Sequence, residues 1–331
     1  MNNSTALQVP SSSSASPVPR TSRTSGLVLL AICIGWGLAM AEPCRAQDLE
    51  PRAYSSSPIG TNFFAVSYSQ QSGEVVFDPS TQIEDVNAKI NGMTIGYGRT
   101  FSLFGRQALI TAALPYAWGD LKGTVQEQAR EIRRSGLADV RVKLSVNLLN
   151  GEALSLKEFV KRPPKTIVGA SLTVQVPTGQ YDPAKLINLG NNRWGFKPEV
   201  GVSHPIGKWD FDAYAGIWFF TANNDFYTGG ARKTQSPVVT MQGHASYSFR
   251  RGLWAAFDAT WYGGGESRVN GGPPSTAFSN VRLGGTFSVP LGGRQSLKIL
   301  YNDGATARIG SQFRTIAVAY QIAWFDRQAK P

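Results

Sequence analysis

The chain has 331 residues, a formal net charge of +11 and a mean hydropathy of -0.18. This polarity excludes a helical membrane protein, while 35 glycines and 11% aromatic residues are typical of many strands joined by tight turns. Lys and Arg are dispersed and form no binding arm, so we expect no nucleic-acid partner. An anionic membrane surface or anionic solutes would explain the excess of positive charge as well.

Residues 1–46 are predicted to be an N-terminal extension and a signal peptide that is removed. Their apolar run, 27–40, is too short to span a bilayer as a helix but fits the hydrophobic region of a signal peptide. Small-residue patterns allow cleavage after Ala41 or after Ala46, and we favour the second. The alternative to a signal peptide is a membrane anchor. Both cysteines, Cys33 and Cys44, lie in this segment, so the mature chain is expected to have no disulfide and no cysteine-bound metal.

An extended lead-in is predicted over 47–60, a β-barrel over 61–325 and a short tail over 326–331. The barrel region contains about twelve segments with strand-like composition. In chain order these predicted strands are 61–70, 91–102, 107–118, 139–148, 166–177, 194–204, 209–221, 237–250, 253–263, 280–291, 295–302 and 313–325.

The clearest of these strands is 139–148, where every even position is Val or Leu and every odd position is charged or polar. A strand places successive side chains on opposite faces, whereas a helical period of 3.6 would scatter both classes around its axis. Ten residues are about what a tilted strand needs to cross a bilayer. Because a soluble antiparallel strand can also alternate, the rest of the chain must decide what the apolar face contacts.

Long and short connections between the predicted strands alternate almost throughout. Long polar loops are predicted at 71–89, 119–135, 178–193, 222–236 and 264–279, and the link 149–165 is predicted to hold a short helix. Bacterial outer-membrane barrels alternate in this way, with short periplasmic turns and long outer loops, whereas a sandwich gives no reason for such regularity.

Aromatic residues near strand ends support a membrane barrel, because interfacial girdles are built from them. The tryptophans in such positions are Trp118, Trp194, Trp209, Trp254, Trp261 and Trp324. The last strand has an apolar face that ends in an aromatic residue, which resembles the signal read by the outer-membrane assembly machinery. The predicted fold is therefore all-β, an antiparallel transmembrane up-and-down β-barrel of about twelve strands in the bacterial outer membrane. Its expected partners are outer-membrane lipids, lipopolysaccharide, the barrel-assembly machinery and a small-molecule solute.

Several short motifs, in this order and spacing, resemble the outer-membrane β-barrel family named for the meta-pathway of phenol degradation, whose members are described as transporters. The motifs are 48–54, 58–63, 136–139, 169–171, 177–181, 192–194 and 197–201. The resemblance covers most of the mature chain. It implies a channel or transporter for passive or facilitated uptake of small molecules, aromatic or amphipathic compounds among them. It supplies no catalytic residues and does not establish a substrate.

The polar faces of the predicted strands supply the candidate site, a lumen with charges of both signs. Its predicted lining residues are Asp139, Arg141, Lys143, Lys197, Glu199, His244, Asp258, Arg282 and Lys298. In one hypothesis these residues pair across the interior and plug a narrow barrel, which then has a structural or surface-interaction role. In the other they line a selective path for a solute. The interior of an eight-stranded barrel is filled by side chains, whereas a barrel of about sixteen strands encloses an aqueous channel. A barrel of twelve strands is compatible with either hypothesis.

An enzymatic function is poorly supported by the sequence. The chain has two histidines, His204 and His244, and only His244 has a serine and an acidic residue in predicted reach, Ser246 and Asp258. An outer-membrane hydrolase is therefore a third, weaker hypothesis. No spacing of metal ligands is visible, and no cofactor is expected.

Overall fold

The computed structural model describes residues 50–76, 83–125, 128–185, 187–227, 230–307 and 310–326. The predicted signal peptide, its cleavage site and both cysteines lie outside these residues. Within them, the structure contains no helix that is long and apolar enough to cross a membrane.

The described residues form sixteen strands and one short helix. The first strands are β1 (Thr61–Val76), β2 (Ile83–Leu103), β3 (Arg106–Val125), β4 (Gln128–Leu137) and β5 (Val140–Leu149), followed by helix α1 (Leu156–Lys161). The chain continues with β6 (Ile167–Val176), β7 (Gly195–Ile206), β8 (Trp209–Phe220), β9 (Asn223–Phe226), β10 (Ala231–Gln235) and β11 (Val238–Arg250). The last strands are β12 (Leu253–Gly264), β13 (Ser267–Val269), β14 (Phe278–Gly292), β15 (Gln295–Ala307) and β16 (Gly310–Phe325).

Thirteen of these strands form one antiparallel sheet, which closes on itself because β1 pairs with both β2 and β16. Strands β4 and β5 pair with consecutive parts of β3 and so share one place in the wall. The wall therefore has twelve positions, which confirms the predicted closed barrel of about twelve strands. The predicted short helix is also present, as α1.

The wall has its apolar side chains outside and its polar side chains inside. In β5, Leu144 and Leu148 are exposed, whereas Ser145 and Asn147 are buried. The same alternation follows β7, where Val200 and Val202 are exposed on either side of buried positions. An apolar exterior around a polar interior is the arrangement of a barrel that is solvated by lipid.

The two ends of the barrel differ in their connections. At one end, called here the turn end, the links between β2 and β3, β7 and β8, β11 and β12, and β14 and β15 each have two residues. Phe104 and Gly105 in the first of these links both have positive φ, as a two-residue hairpin turn requires. The opposite end, called here the loop end, carries the connection 177–194, whereas the link 150–166 with α1 lies at the turn end.

Two of the predicted loops, 71–89 and 119–135, are wrong because β1 to β4 continue through them with only short gaps between. In this region the apolar side chains change faces. Val86, Ile90 and Leu121 point into the barrel and form a buried cluster with Phe313. A part of a strand that lies outside the lipid needs no apolar outer face. The alternation therefore continues there with the apolar side chains inside and the polar side chains outside.

The predicted loops 222–236 and 264–279 also contain strands. These are β9, β10 and β13, which form a separate three-stranded sheet at the loop end. Each has only three to five residues, too few for a period to be recognised in the sequence.

The facing of β5 can be tested with adjacent substitutions. Val142→Arg places a charge on the lipid side at a cost of about 2–4 kcal/mol near the middle of the bilayer, so we expect poor membrane assembly. Arg141→Val changes only the lumen side, so assembly should be normal. Heat-modifiable migration of the membrane-inserted protein measures both variants, and equal assembly of the two would refute the facing assignment.

Candidate functional site in the barrel lumen

Residues 50–60 enter the barrel from the turn end and are called here the lumenal plug. Within the predicted extended lead-in 47–60, residues 51–54 form a turn in which Arg52 has φ 66°, and 47–49 lie outside the described residues. The Arg52 backbone N–H donates to Asp212 Oδ2 (3.1 Å), and the Ala53 N–H donates to the Tyr214 hydroxyl (3.0 Å). These bonds tie the plug to inward side chains of β8.

Tyr54 anchors the plug in a socket of two glycines. Gly169 in β6 and Gly201 in β7 are paired across the sheet, and the Tyr54 ring covers both. A Cβ atom at Gly169 or Gly201 would lie 2.3 or 2.2 Å from the ring, so no larger residue fits either position. The socket explains why Tyr54 is only 1% exposed.

The hydroxyl of Tyr54 is held by polar groups at the end of this socket. It donates to Glu199 Oε1 (3.2 Å) and shares a hydrogen bond with Ser171 Oγ (3.0 Å). Burial, followed by the adjacent Glu199 carboxylate, raises the pKa of the Tyr54 hydroxyl. The hydroxyl therefore remains protonated and can donate to the carboxylate.

Three of the predicted lumen residues form one ion-pair cluster with the plug. Lys143 Nζ lies 3.0 Å from Glu50 Oε2 and 3.7 Å from Glu199 Oε1. Lys197 Nζ lies 3.1 Å from Glu199 Oε2. Arg141 lines a small cavity of about 90 Å³ beside this cluster. Because removal of one partner would leave the other charge uncompensated, the Lys143–Glu50 pair fixes the plug to the wall.

His244 and Asp258 form a second, fully buried pair. His244 Nδ1 lies 2.7 Å from Asp258 Oδ1, and Thr286 Oγ1 donates to Asp258 Oδ2 (2.7 Å). Ser246 Oγ is buried and makes no hydrogen bond to His244 within the described residues. The nucleophile–base contact of a hydrolase is therefore missing from this arrangement. His204 lies apart near the turn end, with Nδ1 2.7 Å from Thr166 Oγ1.

Asp139 anchors the outer loop 177–194. Its carboxylate accepts hydrogen bonds from Gln175 Nε2 (2.9 Å), the Gly179 N–H (2.9 Å), and both the backbone N–H (2.9 Å) and side-chain Nδ2 (3.0 Å) of Asn191. The anchored loop brings Ile187 and Leu189 into the apolar cluster at the loop end. Asp139 thus lies in the lumen wall, and its hydrogen bonds hold the outer loop 177–194 in place.

A larger cavity of about 540 Å³ lies between the plug and the opposite wall. Small side chains from β1, β2, β3 and β16 line most of it, including Ala65, Ser67, Gly96, Ala113, Ala317 and Ala319. Lys298, Arg52 and Trp254 also line this cavity. Arg282 lies elsewhere in the lumen, with its guanidinium carbon 6.0 Å from the centre of the Tyr262 ring.

The prediction that Trp254 belongs to an interfacial girdle is wrong. Trp254 points inward and is 8% exposed, whereas Trp194, Trp209 and Trp324 are about two-fifths exposed on the outer surface. The reason is the alternation of β12, in which Phe257 faces outward and position 254 therefore faces the lumen.

The structure also brings in residues that sequence reasoning missed, namely the plug residues Arg52 and Tyr54 and three side chains of β8. Asp210, Asp212 and Tyr214 alternate with outward Trp209 and Phe211, so a period-two signal was present. Aromatic residues on both faces of β8 concealed it. The plug has no such periodic pattern in its sequence, because its contacts are with strands that lie far away in the chain.

Comparison with known proteins identifies the family of this barrel. The family model described as "Putative MetA-pathway of phenol degradation" matches residues 67–318. The chain belongs to this family. The resemblance in the short motifs is thereby confirmed, and the protein is a bacterial outer-membrane β-barrel. A search of curated proteins finds no match.

Two solved structures are similar to this family member. The COG4313 outer membrane channel from Pseudomonas putida F1 is 18% identical, with a TM-score of 0.69, over 84% of this chain and all of that one. The transport unit of the autotransporter AIDA-I from Escherichia coli is 10% identical, with a TM-score of 0.49, over 90% of this chain and 99% of that one. At these identities the first likeness shows the barrel fold alone.

The motifs that carried the family resemblance meet at two places in the structure. Tyr54, Gly169 and Gly201 form the socket of the plug. Asp139 and Gly179 form the anchor of the outer loop. These motifs therefore position the lumenal plug and the outer loop, and they do not form a single ring of pore residues.

Release of the plug should change conductance. Tyr54→Ala removes an aromatic anchor worth on the order of 3 kcal/mol, and Gly201→Val fills its socket. We expect a several-fold rise in single-channel conductance for either variant, measured in planar bilayers. Tyr68→Ala, at a lipid-facing tyrosine, is the matched control. Unchanged conductance in both plug variants would show that the plug does not limit the path.

Loss of the Asp139 anchor should loosen the outer loop. Asp139→Ala removes the acceptor of four hydrogen bonds, and each bond to a charged group contributes about 1.5–3 kcal/mol. Trypsin should then cleave after the exposed Lys185 at least about ten-fold faster. Asp120→Ala, at an exposed ion pair with Arg133, provides the control, and equal cleavage rates in the two variants would contradict the anchor.

Proposed function

We propose that this outer-membrane barrel is a channel for passive or facilitated uptake of small molecules, with aromatic or amphipathic compounds as the preferred class. The observation that carries the proposal is the 540 Å³ cavity that runs beside the plug. Its volume lies in the range of pockets that hold small organic molecules. The family to which the chain belongs is named for phenol degradation, which agrees with a small aromatic solute.

The composition of the cavity wall favours an amphipathic solute. Ala65, Ala317 and Ala319 offer an apolar surface, whereas Ser67 and Thr111 offer hydroxyl groups. Such a mixed lining can accept a ring together with one or two polar substituents. Because the plug occupies the other part of the lumen, the path is narrow and favours selection by shape over the general permeability of a wide porin.

A plugged barrel with a structural or surface-interaction role is the second candidate. The ion pairs of Lys143 with Glu50 and Glu199, and the tight fit of Tyr54, are the observations in its favour. Under this function the cavity would have no passage to both sides. We further propose that the protein is not an enzyme, since His244 is committed to Asp258 and has no bond to Ser246.

A narrowing substitution distinguishes the channel from the plugged barrel. Ala317→Trp fills the cavity from its wall, so uptake of small aromatic solutes into liposomes that contain the protein should fall several-fold. Ala215→Trp, which adds the same bulk on the outward face of β8, should leave uptake unchanged. If neither the natural protein nor Tyr54→Ala passes current or solute while both are folded, the plugged barrel is the correct function.

A further inference from the structure

Two cationic side chains meet one aromatic ring at the side of the large cavity. Lys298 Nζ lies 5.8 Å from the centre of the Trp254 ring, and the guanidinium carbon of Arg52 lies 4.7 Å from the same centre. Lys298 comes from β15, Trp254 from β12 and Arg52 from the plug. The fold therefore brings these groups together from three separate parts of the chain.

The two cations differ in their acidic neighbours, since Arg52 is ion-paired with Asp210. Arg52 Nη2 donates to Ser248 Oγ (2.8 Å), but its buried Nε makes no hydrogen bond and the Asp210 carboxylate is 4.0 Å away. In the part of the chain that the structure describes, the Lys298 ammonium has no carboxylate within 4.0 Å and no hydrogen bond. Buried cations are stable only when they are paired with an anion or well hydrated.

Glu50 is the acidic residue that lines the same cavity as Lys298 and Arg52. Its carboxylate is already held by the Lys143 ammonium at 3.0 Å. Lys298 is therefore the cation at this edge of the cavity that has no carboxylate within 4.0 Å among the described residues, whereas Arg52 is ion-paired with Asp210. A cationic ligand would be repelled there, whereas an anion would be attracted.

The remainder of the cavity is suited to a flat apolar body. Apolar surface of this cavity is contributed by Phe63, Leu300, Ala317 and Ala319. The Trp254 ring offers a face or edge against which an aromatic ring can pack, an arrangement worth about 0.5–1.5 kcal/mol beyond burial. One molecule could therefore use both the cations and the apolar wall.

We infer that this cavity binds an amphipathic organic anion, an aromatic carboxylate, with the carboxylate between Lys298 and Arg52 and the ring against Trp254 and the small-residue wall. The guanidinium fork and the ammonium are the groups that recognise carboxylate oxygens most strongly. The inference rests on the proposed function, since it names the class of solute for the same cavity. Binding can nevertheless be measured without transport.

The test uses calorimetric titration of the folded, detergent-solubilised full chain with benzoate. Benzyl alcohol has the ring without the charge, acetate has the charge without the ring, and benzylamine has the opposite charge. Benzoate should bind at least ten-fold more tightly than each of the three. Equal affinity for benzyl alcohol or for acetate, or no benzoate binding at millimolar concentration, would overturn the inference.

Substitutions of Lys298 test whether benzoate binds beside this residue. Lys298→Met should weaken benzoate binding at least ten-fold, and Lys298→Arg, which keeps the charge, should retain it within about three-fold. Lys89→Met, at an exposed lysine on the outer face of β2, is the matched control and should bind like the natural protein. Unchanged binding in Lys298→Met would refute the site, and if that variant does not fold, the comparison of ligands on the natural protein decides.

The two proposals fail in different ways. Retained binding of benzoate without any solute uptake would refute the channel and preserve the anion site. Uptake of benzyl alcohol and benzoate at equal rates, with equal affinities, would preserve the channel and refute the anion site.

Discussion

The structure depends on one constraint, which is that no backbone polar group in contact with lipid can remain unpaired. In a β protein this requires a closed sheet, and here the pairing of β1 with β16 along their full lengths provides the closure. Closure forces every strand to alternate between lipid and lumen. All the charged and polar side chains that cannot face lipid are therefore concentrated in one interior, where they must find partners or water.

The plug is the consequence of that concentration. Glu50 supplies an opposite charge to Lys143, Arg52 a cation to Asp210, and Tyr54 a hydrogen-bond donor to Glu199. Their placement is asymmetric, since the plug is bound to β5 through β8 and leaves the cavity against β1 to β3 and β14 to β16. The same segment thus fills one half of the lumen and defines the shape of the other half.

Charged side chains of the lumen that look alike in the sequence have two different surroundings in the structure. Some are paired within the protein, and others face the cavity. Lys143, Lys197 and Glu199 are used within the protein, whereas Lys298 faces the cavity beside Arg52 and Trp254. Inward charge is therefore not by itself a sign of solute contact. What distinguishes Lys298 is the lack of a carboxylate close to its ammonium in the described part of the chain.

The sequence by itself determined the class of the fold, the number of wall positions and the face of most strand residues, because period-two alternation is a local property that each strand expresses alone. It also identified the short helix and the tight links of the turn end. It failed where the apolar side changes faces in β1 to β4, because alternation gives two faces but not which one meets lipid. Only the tertiary structure decided that residues 50–60 enter the lumen, that Asp139 holds an outer loop and that Trp254 faces Lys298. Each of these depends on contacts between residues far apart in the chain, and such contacts leave no periodic pattern in the sequence.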